Sequence, residues 1–217
     1  MITEGGIIGK IGLNSAGVGV GLNAIRVQGI DYDRLPTHLA LRTALESESR
    51  LDAVNALERI GTGTSVHILI GDSGGGTGLE FSHADVQKLE MSDGKVVHSN
   101  HFVLPHHTVN GTRIRESVFL EDSTFRLKRI GDLLAGAESQ GLTPSMATVE
   151  KQLEDEENFP AAINRAIRPG NEVATLFSVV IDLVAKTARV RMGRPTESTQ
   201  VVILQPGSEN PIKIEGN

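Results

Sequence analysis

Between residues 17 and 22 glycine alternates with aliphatic side chains, Gly17, Gly19 and Gly21 on one side and Val18, Val20 and Leu22 on the other. A repeat of two is the period of a strand. Glycine weakens a strand interior, so three in register imply that a substrate or a neighbouring strand comes close to the backbone on that face. With residues 2–13 before it and the turn Asn14-Ser15-Ala16-Gly17 between, the stretch reads as the second arm of a hairpin.

The pattern then changes period and changes back. A helix is expected from Pro36 or Thr37, with Leu39, Ala40, Thr43 and Ala44 in one stripe. A second follows, capped by Ser47 or Ser49, with Leu51, Val54, Leu57 and Ile60 inward and Gly61 as its stop. Residues 65–70 (SVHILI) form a nearly unbroken apolar run, as in a strand covered on both faces. Residues 71–78 have turn composition. With Asp93-Gly94 as a tight turn and a further strand over 95–103, residues 64–104 read as an antiparallel meander. Two histidines and Asn110-Gly111 mark a loop over 105–115. Helices are expected over 117–134, with a basic polar face of Ser123, Arg126, Lys128 and Arg129, and from Pro144 or Ser145 to Glu157. Three strands (173–183, 187–192, 200–204) and a polar tail complete the chain. Strands and helices come in groups, not in strict alternation, so a doubly wound parallel sheet is not expected. The pattern fits an α+β protein of antiparallel sheets with helices outside, one domain over residues 1–217.

Composition narrows the functions. Aromatic residues make up 3% of the 217 residues, with no Trp and one Tyr, Tyr32. The core is therefore aliphatic, and stacking platforms for single-stranded nucleic acid are lacking. A net charge of −6 also opposes tracking of a phosphate backbone. There is no cysteine, which removes disulfides, thiolate metal sites and a thiol nucleophile from these residues. Neither a membrane span nor a signal segment is visible. The expectation is a cytoplasmic protein with no nucleic-acid or membrane partner.

Several motifs invite chemistry and lack its context. Gly71-Asp72-Ser73-Gly74-Gly75 spells the nucleophile string of trypsin-like proteases, but only His38 and His67 precede it, and a triad is defined by partners. It reads as a hairpin turn. Gly17-Val18-Gly19-Val20-Gly21 is followed by more strand, not by the helix that a dinucleotide loop requires. His98, His101, His106 and His107 suggest a metal, yet on a strand His98 and His101 would face opposite sides. They read as strand and loop histidines, and no metal is expected.

An ordered set of segments carries a resemblance: residues 2–17 (ITEGGIIGKIGLNSAG), 36–47 (PTHLALRTALES), 78–82 (GLEFS), 97–101 (VHSNH), 157–160 (ENFP), 174–177 (ATLF) and 191–196 (RMGRPT). Together they resemble the acyl-coenzyme A:6-aminopenicillanic acid acyltransferase (isopenicillin N acyltransferase) family, peptidase family C45. The resemblance implies the N-terminal nucleophile hydrolase fold, a four-layer α-β-β-α sandwich of antiparallel sheets. It also implies a precursor that cuts itself before a cysteine, whose thiol then attacks an amide or thioester with its own free amine as base.

Carried onto this sequence, the resemblance makes Asn100 the side-chain amide of an oxyanion hole and Ala24 the backbone N–H that completes it. Ser82 and Arg165 match positions near the substrate pocket. The acyl donor implied is a coenzyme A thioester, the acceptor an amine or water, and no bound cofactor is expected. The chain also departs from the family. The nucleophile cysteine belongs ahead of Ile2, so the fold is expected to be incomplete at its N-terminus and these residues alone to be inactive. Asn171-Glu172 replaces a Ser-Arg pair, an anion for a cation, which argues against penicillin-type recognition. A chain with a missing sheet edge would pair with a copy of itself or with a chain supplying the missing segment. The competing expectation is a truncated, non-catalytic paralogue that binds or scaffolds.

Overall fold

The computed structural model describes residues 1–106, 108–109, 112–114, 116 and 122–216. These form two compact units, Met1–Glu121 and Asp122–Asn217, both mixing helices with antiparallel strands. Protein class is therefore α+β.

The first unit is built on a five-stranded antiparallel sheet of β1 (Gly12–Leu13), β2 (Gly19–Ala24), β3 (Val66–Asp72), β4 (Gly75–Phe81) and β5 (Val86–Glu90), in that order across the sheet. Between β2 and β3 the chain leaves to form α1 (Thr37–Leu45) and α2 (Arg50–Ile60). The sheet has two unlike faces, fixed by its register. Val20 lies opposite Ile70, Leu22 opposite Ile68, Ile68 opposite Leu79 and Val66 opposite Phe81, so one face of β2, β3 and β4 is apolar apart from Thr77, which lies opposite Ile70. It forms the core with Ala40, Leu41 and Ala44 of α1 and Ala53, Val54 and Leu57 of α2. Each fully buried Leu or Ile there contributes about 1.5–3 kcal/mol relative to exposure. Of the residues expected to face inward, Ala40, Ala44, Val54 and Leu57 are buried, whereas Leu39 and Leu51 face outward and Leu41 and Ala53 are buried instead. Ser49 caps α2, its hydroxyl accepting the Asp52 N–H, and Gly61 ends it with φ 71°.

The opposite face carries the glycines. Gly19, Gly71 and Gly76 form one row across three strands, Gly21, Leu69 and Gly78 the next, and Asn23, His67 and Glu80 the third. Residues 71–78 are thus mostly strand, and the turn is reduced to Ser73-Gly74, because Asp72 already pairs with Gly75. Segment 95–103 is not a strand either. Beyond the turn at Asp93 and Gly94, both with positive φ, only a Ser92–Lys95 bridge forms. Its contacts are with the third row, as shown below. Two short strands, β6 (Thr108–Val109) and β7 (Thr112–Arg113), pair with each other. His107, Asn110 and Gly111 lie outside the described residues, as do residues 117–121, where the next helix was expected to begin.

The second unit contains α3 (Ser123–Ser139), α4 (Met146–Leu153) and a four-stranded antiparallel sheet in the order β11-β10-β9-β8. Its strands are β8 (Phe177–Asp182), β9 (Thr187–Met192), β10 (Val201–Leu204) and β11 (Ile212–Glu215). α3 runs five residues beyond the expected end. A capping box of Ser145 and Thr148 starts α4. This helix packs on β8, and its Glu150 holds Arg189 and Arg191 of β9 at 2.7 and 3.2 Å. The basic residues expected to form a polar face on α3 are each paired: Arg126 with Asp122, Lys128 with Asp132, Arg129 with Asp155 and Glu157. Where a polar tail was expected, Ile212 and Ile214 carry the edge strand β11. No helix among the described residues is long and apolar enough to cross a membrane.

Candidate functional site

Glu80 sits on β4 with no exposure, on the sheet face opposite the apolar core. A carboxylate buried that deeply must be given partners, and the chain between 98 and 106 supplies them. His98 Nε2 donates to Oε1 at 2.6 Å and the Val103 N–H to the same oxygen at 2.7 Å. The Leu104 N–H reaches Oε2 at 3.0 Å and His106 Nε2 the same oxygen at 3.4 Å. Segment 95–103 lies off the sheet, its His98 ring and its Val103 N–H taken up by this side chain instead of by a strand ladder. Burial alone would raise the Glu80 carboxyl; the bonds from His106, His98 and the two amides outweigh it and bring its pKa to about 2.

Both histidines have an acceptor at each ring nitrogen. His98 Nδ1 faces its own chain at the Ser99 carbonyl, 2.8 Å away. His106 Nδ1 faces Asp85 Oδ1 at 2.7 Å. For His106, acceptors at both nitrogens favour the protonated ring. Burial opposes the charge on His106, but the bonds to Glu80 and Asp85 raise its pKa above the ordinary value.

His67 is different. It lies flat on His98, with ring centroids 3.6 Å apart and planes 10° apart, and is fully buried. Its Nδ1 donates to Asn23 Oδ1 at 2.9 Å, while Nε2 has no partner and points at Gly78. Burial and the charge of His98 push its pKa down to about 3, Glu80 only partly opposing them. At neutral pH His67 is thus a neutral imidazole in the folded protein.

Ala24 and Asn100 come together at the end of β2. The Asn100 side-chain amide donates to the Ala24 carbonyl at 3.0 Å. Ala24 is exposed and Asn100 half-buried, so this pair faces the outside of the unit. Asn23, which holds His67, immediately precedes Ala24, and His98 lies two residues before Asn100. Contacts therefore close a ring from Ala24 through Asn23, His67 and His98 to Asn100 and back to Ala24.

Ser82 and Arg165 are committed to internal bonds. Ser82 is buried in the turn after β4, where its hydroxyl donates to Asp85 Oδ1 and accepts the Ala84 and Asp85 N–H groups at 3.1 and 3.0 Å. Arg165 belongs to the second unit, where its guanidinium donates to Asp122 at 2.9 Å and to the side-chain Oδ1 of Asn171 at 3.0 Å. Asn171 also donates to the carbonyls of Pro160, Ala166 and Val173, so it acts as a loop anchor. Ser73 of the protease-like string occupies the tip of the β3–β4 hairpin.

Sequence reasoning does not pick out Glu80, His67 or Asn23 as site residues, and weighs His106 only as a metal ligand. A signal for the first two was present: each is a titratable residue within a strand that otherwise reads as apolar (SVHILI, GLEF). Such a residue must be partnered inside.

Fold and cluster together define an α+β protein in which a side-chain amide is set against the end of a strand by a buried carboxylate–histidine cluster. A family model described as acyl-coenzyme A:6-aminopenicillanic acid acyl-transferase matches residues 2–197. The chain is 40% identical over 207 residues to the acyl-coenzyme A:6-aminopenicillanic-acid-acyltransferase 40 kDa form of Emericella nidulans. It belongs to this acyltransferase family. The match covers 94% of the chain and 56% of the relative, so the chain spans little more than half the length of that protein.

Proposed function

We propose that this chain supplies the oxyanion-binding half of a coenzyme A thioester-dependent acyltransferase or amide hydrolase. The observation that carries the reading is the approach of the Asn100 amide to Ala24, 3.0 Å at an exposed strand end, in a chain of this family. In the reaction a cysteine thiolate attacks the carbonyl of a thioester or amide. Negative charge gathers on the carbonyl oxygen, where Asn100 Nδ2 and the Ala24 N–H donate to it. The tetrahedral species then collapses, expelling thiol or amine, and an amine or water takes the acyl group. A preorganised amide donor is worth about 3 kcal/mol to such a step because it need not reorient as charge develops.

The 217 residues contain no cysteine, so the attacking thiol must come from a segment other than these. Two antiparallel sheets and two helix pairs supply the elements of the four-layer N-terminal nucleophile hydrolase sandwich. We read the two units as parts of one domain of that kind. Ser82 and Arg165 each hold a turn or loop of their own unit, and in this reading any part they take in substrate binding is through that turn or loop.

The test uses this chain joined to a family segment that carries the nucleophile cysteine. Release of coenzyme A from an acyl-CoA is followed in the presence of 6-aminopenicillanic acid or of water alone. The joined form is expected to turn over and the 217 residues alone are not. Asn100→Ala should lower kcat by about 10²-fold. Full activity in that variant, or cysteine-independent turnover by these residues alone, overturns the reading.

A further inference from the structure

We propose that Glu80 is a positioning residue that sets Asn100 for oxyanion binding, with His98 as its intermediary. This rests on the acyl-transfer reading of Asn100 given above. The geometry is that of a clamp. A single buried carboxylate grips the chain on both sides of Asn100: at His98, two residues before it, and at the Val103 and Leu104 amides, three and four residues after it. The segment between is thereby closed into a loop whose two ends meet at one side chain on a central strand. A second tether fixes the loop's place along the sheet. His98 stacks on His67, and His67 is bonded to Asn23, the neighbour of Ala24. Asn100 and Ala24 are therefore not merely adjacent; both are referred to the same two rings.

Glu80 is not interchangeable with a neutral stand-in. All four groups facing the Glu80 oxygens are donors: two ring nitrogens and two backbone N–H groups. Glutamine in that place would turn one acceptor into a donor aimed at other donors, in a site with no access for water. Glu80 touches no position where a substrate atom would lie, and its effect on the reaction passes through the loop.

The test begins with the 217-residue chain, in which the side-chain ¹H–¹⁵N resonances of Asn100 are assigned by their loss in Asn100→Ala. In Glu80→Gln and in His98→Leu these resonances are expected to shift or broaden, with hydrogen exchange at Val103 and Leu104 at least tenfold faster. Exchange at Ile68 and Leu79, in the strands on the core side, should change less than threefold. His98→Gln, whose amide nitrogen can replace Nε2–H, should restore the Asn100 resonances. Should Glu80→Gln fail to fold, the His98 pair carries the same test.

In the cysteine-bearing form, Glu80→Gln and His98→Leu should each lower kcat at least tenfold with KM within threefold, and His98→Gln should keep most of the activity that His98→Leu loses. Unchanged Asn100 resonances beside faster exchange at Val103 and Leu104 would overturn the proposal, since the clamp would then hold the loop without setting the amide. Resonances that move while kcat does not would leave the clamp standing and overturn the oxyanion reading instead.

Discussion

Gly78 decides how closely the buried cluster can be packed. A Cβ placed on it would lie 2.5 Å from His67 Nε2 and 3.2 Å from the Leu89 Cβ, and His67 has no room to retreat because His98 is stacked on its ring. Gly78→Ala should therefore destabilise the protein by about 1–3 kcal/mol, read as a fall in the urea midpoint at unchanged slope. Gly21, one row along the same face, is a control: a Cβ there meets only the Leu69 Cβ, at an ordinary 3.6 Å. Gly21→Ala should be neutral or stabilise by up to about 1 kcal/mol through the unfolded chain. Equal costs at the two positions would show that the His67 contact is not what Gly78 serves. The sequence correctly pointed to a glycine-lined face but located the close approach on β2, where the alternation is visible. The approach that matters is on β4, made by a side chain from the adjacent strand. Nothing in a local pattern states which side chain a neighbouring strand will bring. Asn100 and Ala24 could be named because the family fixes both; Glu80 could not, as its partners come from 18 to 26 residues further along the chain.

At the level of elements, periodicity located the core-facing strands well, and missed where a side chain replaced a ladder. SVHILI became β3, covered on both faces as its composition implied, and α2 and α4 start where the capping serines Ser49 and Ser145 stand. Segment 95–103 has apolar residues enough for a strand. It forms none, and Glu80 instead takes up its His98 ring and its Val103 N–H, contacts invisible before the fold brings the two together. β11 was lost for the opposite reason: four residues with two isoleucines are too short to show a period, and only pairing with β10 makes them a strand. Caps are the most local of these signals, and they can be tested singly. Ser47 and Ser49 were equal candidates in the sequence. Ser49 is the one whose hydroxyl receives the Asp52 N–H, at 3.1 Å, whereas the Ser47 hydroxyl donates back to the Thr43 carbonyl. Ser49→Ala should cost about 1 kcal/mol by chemical denaturation, and Ser47→Ala less than half of that. The reverse order would mean that α2 begins a turn earlier than Arg50.

For the molecule as a whole, the cluster makes stability depend on pH in a direction that can be worked out group by group. His67 has an ordinary pKa of 6.5 when unfolded and about 3 when folded. Between those values the unfolded chain binds a proton that the folded chain refuses, so stability present above pH 6.5 is lost as pH falls through the window. Glu80 acts in the same sense but lower, from 4.5 down to about 2. His106, raised by Glu80 and Asp85, acts oppositely: its contribution is complete below pH 6.5 and is lost as pH rises past its folded pKa. In the interval from pH 6 to 4.5 His67 acts before Glu80 joins, and Glu116, whose carboxyl burial raises above 4.5, acts in the opposite sense. A single proton difference there has a slope of about 1.4 kcal/mol per pH unit. In His67→Asn, whose amide can still donate to Asn23, the side chain no longer titrates. That variant should be less stable at pH 7, having lost the stacked ring. Its stability, followed by far-UV circular dichroism in urea, should nevertheless fall between pH 6 and 4.5 less steeply than that of the wild type, by about 1 kcal/mol per pH unit. Differencing the two proteins cancels every other titrating group. Parallel curves would mean that His67 accepts its proton in the folded state, and that the stack on His98 does not keep it neutral.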